Sequence, residues 1–277
     1  MMHKAKALGA LMSGVLVVLA FLPAVQAQGL EETYAEELDD WTLLMYLDVD
    51  NNLGIGYFLL YLLDIYLGLI PTDLEMVILL DGCLSGLPQA LLQMIGIPIP
   101  GWMIKLTSPF LPSDSFILEL GPLSINFLDD HGAVIPKSGE VNMGDPETLA
   151  NFVTWGMENY PAEHVGLIIM DHGGGWRGVC IDETSQDKMT IPELGQALRA
   201  IYEEIGKIDV VAFEACQMGN LEAVHEIGDY VDYVVGSEEL MLAMASFLHT
   251  PFLLNLGFNP EMEPEDLAEA IVKAFNP

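Results

Sequence analysis

The sequence predicts an α/β fold built around a mostly parallel sheet, and three observations carry that expectation. First, residues 42–47, 74–80, 165–170 and 208–213 are short apolar runs without polar alternation. Strands of this kind are buried on both faces, as in parallel sheets covered by helices. Second, segments with helical patterning separate these runs. Third, each run ends on polar residues: Asp48 and Asp50, Asp81, Asp171-His172, and Glu214-Ala215-Cys216. In open parallel sheets the ligand site lies at that carboxyl edge. His172 and Cys216 are therefore expected on one edge of one sheet, although 44 positions separate them.

The elements follow in order. Lys4 and Lys6 precede an apolar stretch over 8–22, and Val25-Gln26-Ala27 places small residues where a signal peptidase reads. Residues 1–27 read as a secretory signal, with an uncleaved anchor as the competing use. Residues 28–40 form an acidic leader, and the folded domain is expected over 41–277. After the strand at 42–47, Asp50, Asn51 and Asn52 are candidate caps for a helix over 57–69. The strand at 74–80 leads into 83–104, an uncharged tract rich in Gly, Pro, Leu and Ile. Burial in the core is the favoured use for it, and an exposed patch for a membrane or partner is the alternative. A strand is expected at 116–120 and a helix at 146–159, opened by Pro146. The strand at 165–170 is followed by a short one within 177–182 and a helix over 191–205. Past the strand at 208–213 come a helix over 218–227, a strand over 231–236 and a helix over 264–275.

Composition narrows the function. Nine basic residues face 41 acidic ones, a net charge of −32. Such a chain is repelled by nucleic acid, whose phosphates it has no means to neutralise. The acid excess suits a salty environment, cation binding or the attraction of cationic substrates, and composition alone does not choose among them. Three cysteines, Cys83, Cys180 and Cys216, leave at least one thiol without an intramolecular partner in an exported protein. A strand-end cysteine is more often a packing residue than a nucleophile. Cys216, however, is expected just ahead of a helix, where a thiol is activated. His172 precedes Gly173-Gly174-Gly175, whose backbone N–H groups can come close to a substrate oxygen. On the residues alone both readings stay open.

Five ordered motifs add to this. Trp41-Thr42-Leu43-Leu44-Met45-Tyr46-Leu47-Asp48-Val49-Asp50-Asn51-Asn52-Leu53 resembles the opening strand of clostripain-like cysteine peptidases. Glu140-Val141-Asn142-Met143-Gly144-Asp145-Pro146 is similar to the stretch before that family's catalytic histidine. Asp171-His172-Gly173-Gly174-Gly175-Trp176 resembles its His motif, and Phe213-Glu214-Ala215-Cys216-Gln217-Met218-Gly219 its Cys motif. Tyr233-Val234-Val235-Gly236-Ser237-Glu238-Glu239 resembles the strand that follows.

The resemblance implies a caspase-like three-layer sandwich and a secreted cysteine endopeptidase. Cys216 would be the nucleophile, His172 the proton donor and acceptor, and the N–H groups of Gly173 and Cys216 the oxyanion site. It also implies cleavage after Arg or Lys, with Glu214, two residues before the nucleophile, as the pocket acid. Asp48 and Asp50 are further candidate substrate-binding residues. No cofactor is required, although some family members depend on calcium. Asp48, Asp50 and Asn52 have the first ligand spacings of a calcium loop, but Leu53 and Leu59 replace the Gly and Glu an EF-hand needs.

The tract 83–104 is foreign to the family pattern, and relatives continue where this chain stops at Pro277. Cys83 and Cys180 are a candidate disulfide pair, and Lys188 a candidate maturation cleavage point. Asp130-His131-Gly132 repeats the triplet of the His motif but follows what reads as a polar turn, so it is taken as a loop. His225-Glu226 lacks the second histidine of a zinc-protease helix. The runner-up function is a non-catalytic secreted binding protein, or one lying on a membrane through 83–104, that retains the peptidase fold.

Overall fold

The computed structural model describes residues 38–51, 53–82, 115–128, 134–136, 139–241 and 248–275, with the backbone alone at 54–60. The signal at 1–27, most of the acidic leader, Asn52, the apolar tract 83–104 with Cys83, and the Asp130-His131-Gly132 triplet lie outside the described residues.

The elements run β1 (Asp39–Asp48), α1 (Gly54–Leu69), β2 (Met76–Asp81), β3 (Ser115–Gly121), β4 (Ser124–Leu128), α2 (Pro146–Asn159), β5 (Ala162–Met170), β6 (Val179–Asp182), β7 (Asp187–Met189), α3 (Ile191–Glu204), β8 (Ile208–Glu214), α4 (Leu221–Ile227), β9 (Val231–Val235), α5 (His249–Phe258) and α6 (Pro264–Phe275). Seven strands form the main sheet in the order β4-β3-β2-β1-β5-β8-β9, and β6-β7 is a separate hairpin. The five strands from β2 to β9 are parallel, and β3 and β4 add an antiparallel edge.

Both faces of the sheet are covered, which is why its strands read as unbroken apolar runs. Leu44 and Tyr46 of β1 face a layer holding Phe152 of α2, Leu194 and Leu198 of α3 and Ile227 of α4. Leu43, Met45 and Leu47 face the opposite layer, with Ile65 and Leu69 of α1, Phe252 of α5 and Leu267 of α6. The alternation along one strand thus assigns the helices to two layers, and the three-layer sandwich is the architecture found.

Several boundaries differ from expectation. β1 starts at Asp39, so the last residues assigned to a leader belong to the sheet. Asn51 does not cap α1 directly; its Oδ1 accepts the N–H of Leu53, the residue before the helix, at 2.9 Å. Residues 126–129 read as a polar turn, but 126–128 belong to β4, an edge strand paired with β3. α4 begins at Leu221 rather than near 218, because Asn220 caps it by accepting the N–H of Ala223. β7 and α5 were not anticipated. Among the described residues no helix is long and apolar enough to cross a membrane.

Candidate active site

Parallel pairing of β5 with β8 sets Met170 opposite Glu214. His172 and Cys216 each stand two residues beyond that pair, at the carboxyl edge of neighbouring strands. Both are half-buried. The two loops touch through their backbones: a Cβ placed on Gly173 would collide with the carbonyl oxygen of Cys216 and lie 2.7 Å from its nitrogen. Gly173 is thus fixed by space, whatever its other role.

Each loop is held from below. The buried Asp171 carboxylate accepts the Ile181 N–H and, at 2.6 Å, the Asn51 amide. Gly175 adopts φ +60°, open to glycine at little cost, and turns the chain into a short 3₁₀ segment, Gly175–Arg177. On the cysteine side, Gln217 takes φ +61° and its N–H donates to Glu239 O at 3.0 Å. Met241 N–H donates to Cys216 Sγ at 3.3 Å. The helix end expected at the thiol is displaced, since α4 starts five residues on. Beyond both loops lies an open cleft of about 550 Å³, bordered by Gly174, Trp176, Arg177, Asn220 and Leu221.

Glu214 departs from the simple picture of a pocket acid waiting for a cation. Its side chain is 3% exposed, and Oε1 lies 2.6 Å from Nε2 of the equally buried His249, the first residue of α5. The approach is a charge contact rather than an aligned hydrogen bond. His249 Nδ1 pairs with Asp64 of α1 at 2.8 Å. The Asp64 carboxylate also accepts the N–H groups of His249 and Thr250, and so caps α5 from another helix. Burial opposes the charge on His249, but Glu214 and Asp64 outweigh it and raise the imidazole to about 9. Burial likewise opposes ionisation of Asp64, and its bonds to His249 and Thr250 prevail and lower it. The trio sets the His249 imidazole between the carboxyl groups of Asp64 and Glu214. Among the described residues, Glu214 Oε2 is buried without a hydrogen-bond partner.

Two other expectations need correcting. Asp48 is fully buried, its carboxyl is raised by burial and by Asp171, and its Oδ1 accepts the Asp50 N–H at 3.0 Å, so it is placed inside the fold and not on an open surface. Of the candidate calcium ligands, Asp50 but not Asp48 joins the acidic group found among the described residues, and Asn52 lies outside them. Carboxylate oxygens of Asp50, Asp81, Glu140 and Asp182 lie within 4.8 Å of one another. Asp50 also ties down the β6–β7 turn, accepting the Thr184 N–H at 2.9 Å. Asp81 is raised to about 8 by burial and by its acidic neighbours, and among the described residues its Oδ2 is buried without a hydrogen-bond partner. An all-oxygen set with an unsatisfied buried oxygen fits a hard divalent cation. Cys180 carries a free, buried thiol, raised by burial.

A model of the clostripain family matches residues 125–276, more than half of the chain. The chain belongs to the clostripain family. Clostripain from Hathewaya histolytica is 33% identical over 99 aligned residues, with 31% of this chain and 19% of that protein covered. Two solved C11 proteases share the fold at a TM-score of 0.60. One, secreted by Bacteroides thetaiotaomicron and bound to an irreversible peptide inhibitor, is 19% identical over 85% of this chain and 57% of its own. The other, an inactive zymogen from Parabacteroides distasonis, is 21% identical over 86% and 58%. In each case the chain spans less than two thirds of the relative's length.

Proposed function

We propose that this chain is a secreted cysteine endopeptidase in which Cys216 attacks the scissile carbonyl and forms a thioester acyl-enzyme. His172 protonates the leaving amine and then activates the hydrolytic water. The N–H groups of Gly173 and Cys216 hold the oxyanion, a role supported by the close approach of those two backbones. The observation that carries the reading is the β5–β8 register, which ends two loops on a histidine and a cysteine at one sheet edge.

The substrate is a peptide or protein cut after Arg or Lys, with the basic side chain directed to Glu214. The buried, unpartnered Oε2 supports this, since an orphaned carboxylate oxygen gains most from a cation. The cleft past Trp176 gives the chain beyond the cut bond a surface to lie on. Asp50, Asp81, Glu140 and Asp182 would hold a divalent cation such as calcium, which would neutralise buried charge beside the loop that Asp50 anchors. The signal at 1–27 supports export.

A thiol-directed peptidyl probe ending in Arg tests the dyad. Labelling is expected at Cys216, and it should vanish in Cys216→Ala and fall at least a hundredfold in His172→Ala, both folded by circular dichroism. Full turnover by Cys216→Ala would overturn the assignment.

A further inference from the structure

We propose that His249 is a positioning residue for the specificity pocket, sharing the Glu214 carboxylate with the substrate's basic side chain and thereby setting how strongly the pocket prefers Arg. The inference rests on the reading of Glu214 given above and goes beyond it. No pattern near Cys216 points to His249, which lies 33 residues downstream of it in the chain.

The placement follows from the fold. Val210, Ala212 and Glu214 alternate along β8, and the first two pack in the layer holding α1, α5 and α6. Glu214 is directed the same way, onto the first residue of α5. Asp64 fixes α5 from α1 through two backbone N–H groups, and Thr250 Oγ1 adds a bond to Asp64 O at 2.8 Å. The imidazole is therefore clamped. Tyr61 crosses its ring edge-on at a centroid distance of 5.2 Å, and Phe252 packs at 5.8 Å. Among the described residues, the titratable groups facing His249 are Asp64 and Tyr61 from α1 and Glu214 from β8. Burial, Glu214 and Asp64 all raise the Tyr61 hydroxyl, which stays neutral in any working range.

The consequence is one of charge. With His249 protonated, two carboxylates and one imidazolium leave a single net negative charge, and Glu214 Oε1 is already engaged. A substrate guanidinium then reaches Oε2 beside a resident cation, and the two repel across one carboxylate. With His249 neutral the trio carries two negative charges and the repulsion is gone. Linkage requires reciprocity: Arg binding lowers the affinity of His249 for its proton, and loss of that proton strengthens Arg binding. Since the imidazole is raised to about 9, Arg preference is restrained at neutral pH and released above it. Arginine itself stays charged throughout.

The test is the ratio of kcat/KM for otherwise identical Arg and Leu peptides between pH 7 and 10. Ionisation of Cys216 and His172 affects both peptides alike and cancels. In the wild type the ratio should rise about tenfold as pH passes through about 9. In His249→Gln it should be flat. Should that variant fail to fold, imidazole ¹⁵N NMR on the wild type carries the same question. An irreversible Arg inhibitor should lower the His249 pKa by about one unit, and its Leu counterpart should leave it in place. A wild-type ratio that is flat with pH, or one that rises equally in His249→Gln, overturns this inference. If the flat ratio still favours Arg and collapses in Glu214→Gln, the pocket reading survives and His249 alone is excluded. If no Arg preference exists at any pH, both fall.

Discussion

Gly173 is the residue on which the site's geometry is tightest. Its missing Cβ lets the histidine loop lie against the Cys216 backbone, and any side chain would drive the two apart. Gly173→Ala should lower kcat at least a hundredfold through a displaced oxyanion site, while costing only about 1–3 kcal/mol of stability. Kinetics beside urea unfolding would check this; near-normal kcat would show that the oxyanion is held elsewhere. His172, Gly173 and Cys216 were legible because strand-end positions follow from the lengths of the apolar runs before them. Met241 and His249 were not, because their contacts come from a stretch without clear periodicity. One signal did exist. Asp64 is the lone charge in an apolar helix, and a buried carboxylate needs a partner; the structure supplies His249 and Thr250.

At the scale of elements, the long buried strands and the helices over 146–159 and 264–275 were readable because burial imposes their period. The short pieces were not. β4 and β7 hold few buried side chains, so no pattern distinguishes them from loops. α5 was missed because its apolar residues are spread around the helix and its N-terminal cap comes from α1 instead of its own sequence. The β6–β7 hairpin bears on maturation. Lys188 is exposed and pairs with Ile181 across a two-stranded ribbon, with the backbone of Gly144 packed against its own. Cleavage after Lys188 is expected to accompany activation, and Lys188→Ala should leave a whole chain with delayed activity. Mass mapping of fully active enzyme that found only uncut chain would exclude it.

The whole molecule is dominated by its acid excess, −32 overall and −34 without residues 1–27, which hold two lysines and no acid. Most of this charge was expected on the surface, and much of it is there. What composition did not show is that the topology gathers part of it inward, since β1 and β2 run parallel and end together on Asp48 and Asp81. Asp182 then arrives from β6 and Glu140 from the segment before α2. General self-repulsion and this local cluster respond differently to added ions. Monovalent salt screens exposed charges over about 10 Å at 0.1 M but reaches buried ones poorly. A divalent cation seated among the four carboxylates would act on the folded state alone and stabilise it by mass action. Millimolar calcium should therefore raise the melting temperature by several degrees more than sodium chloride of equal ionic strength, and a chelator should reverse the gain. Asp81→Asn should keep the response to sodium chloride and lose the calcium increment. If calcium and sodium chloride act equally in the wild type, the cluster is not a cation site, and the protein tolerates its buried acids by holding them protonated.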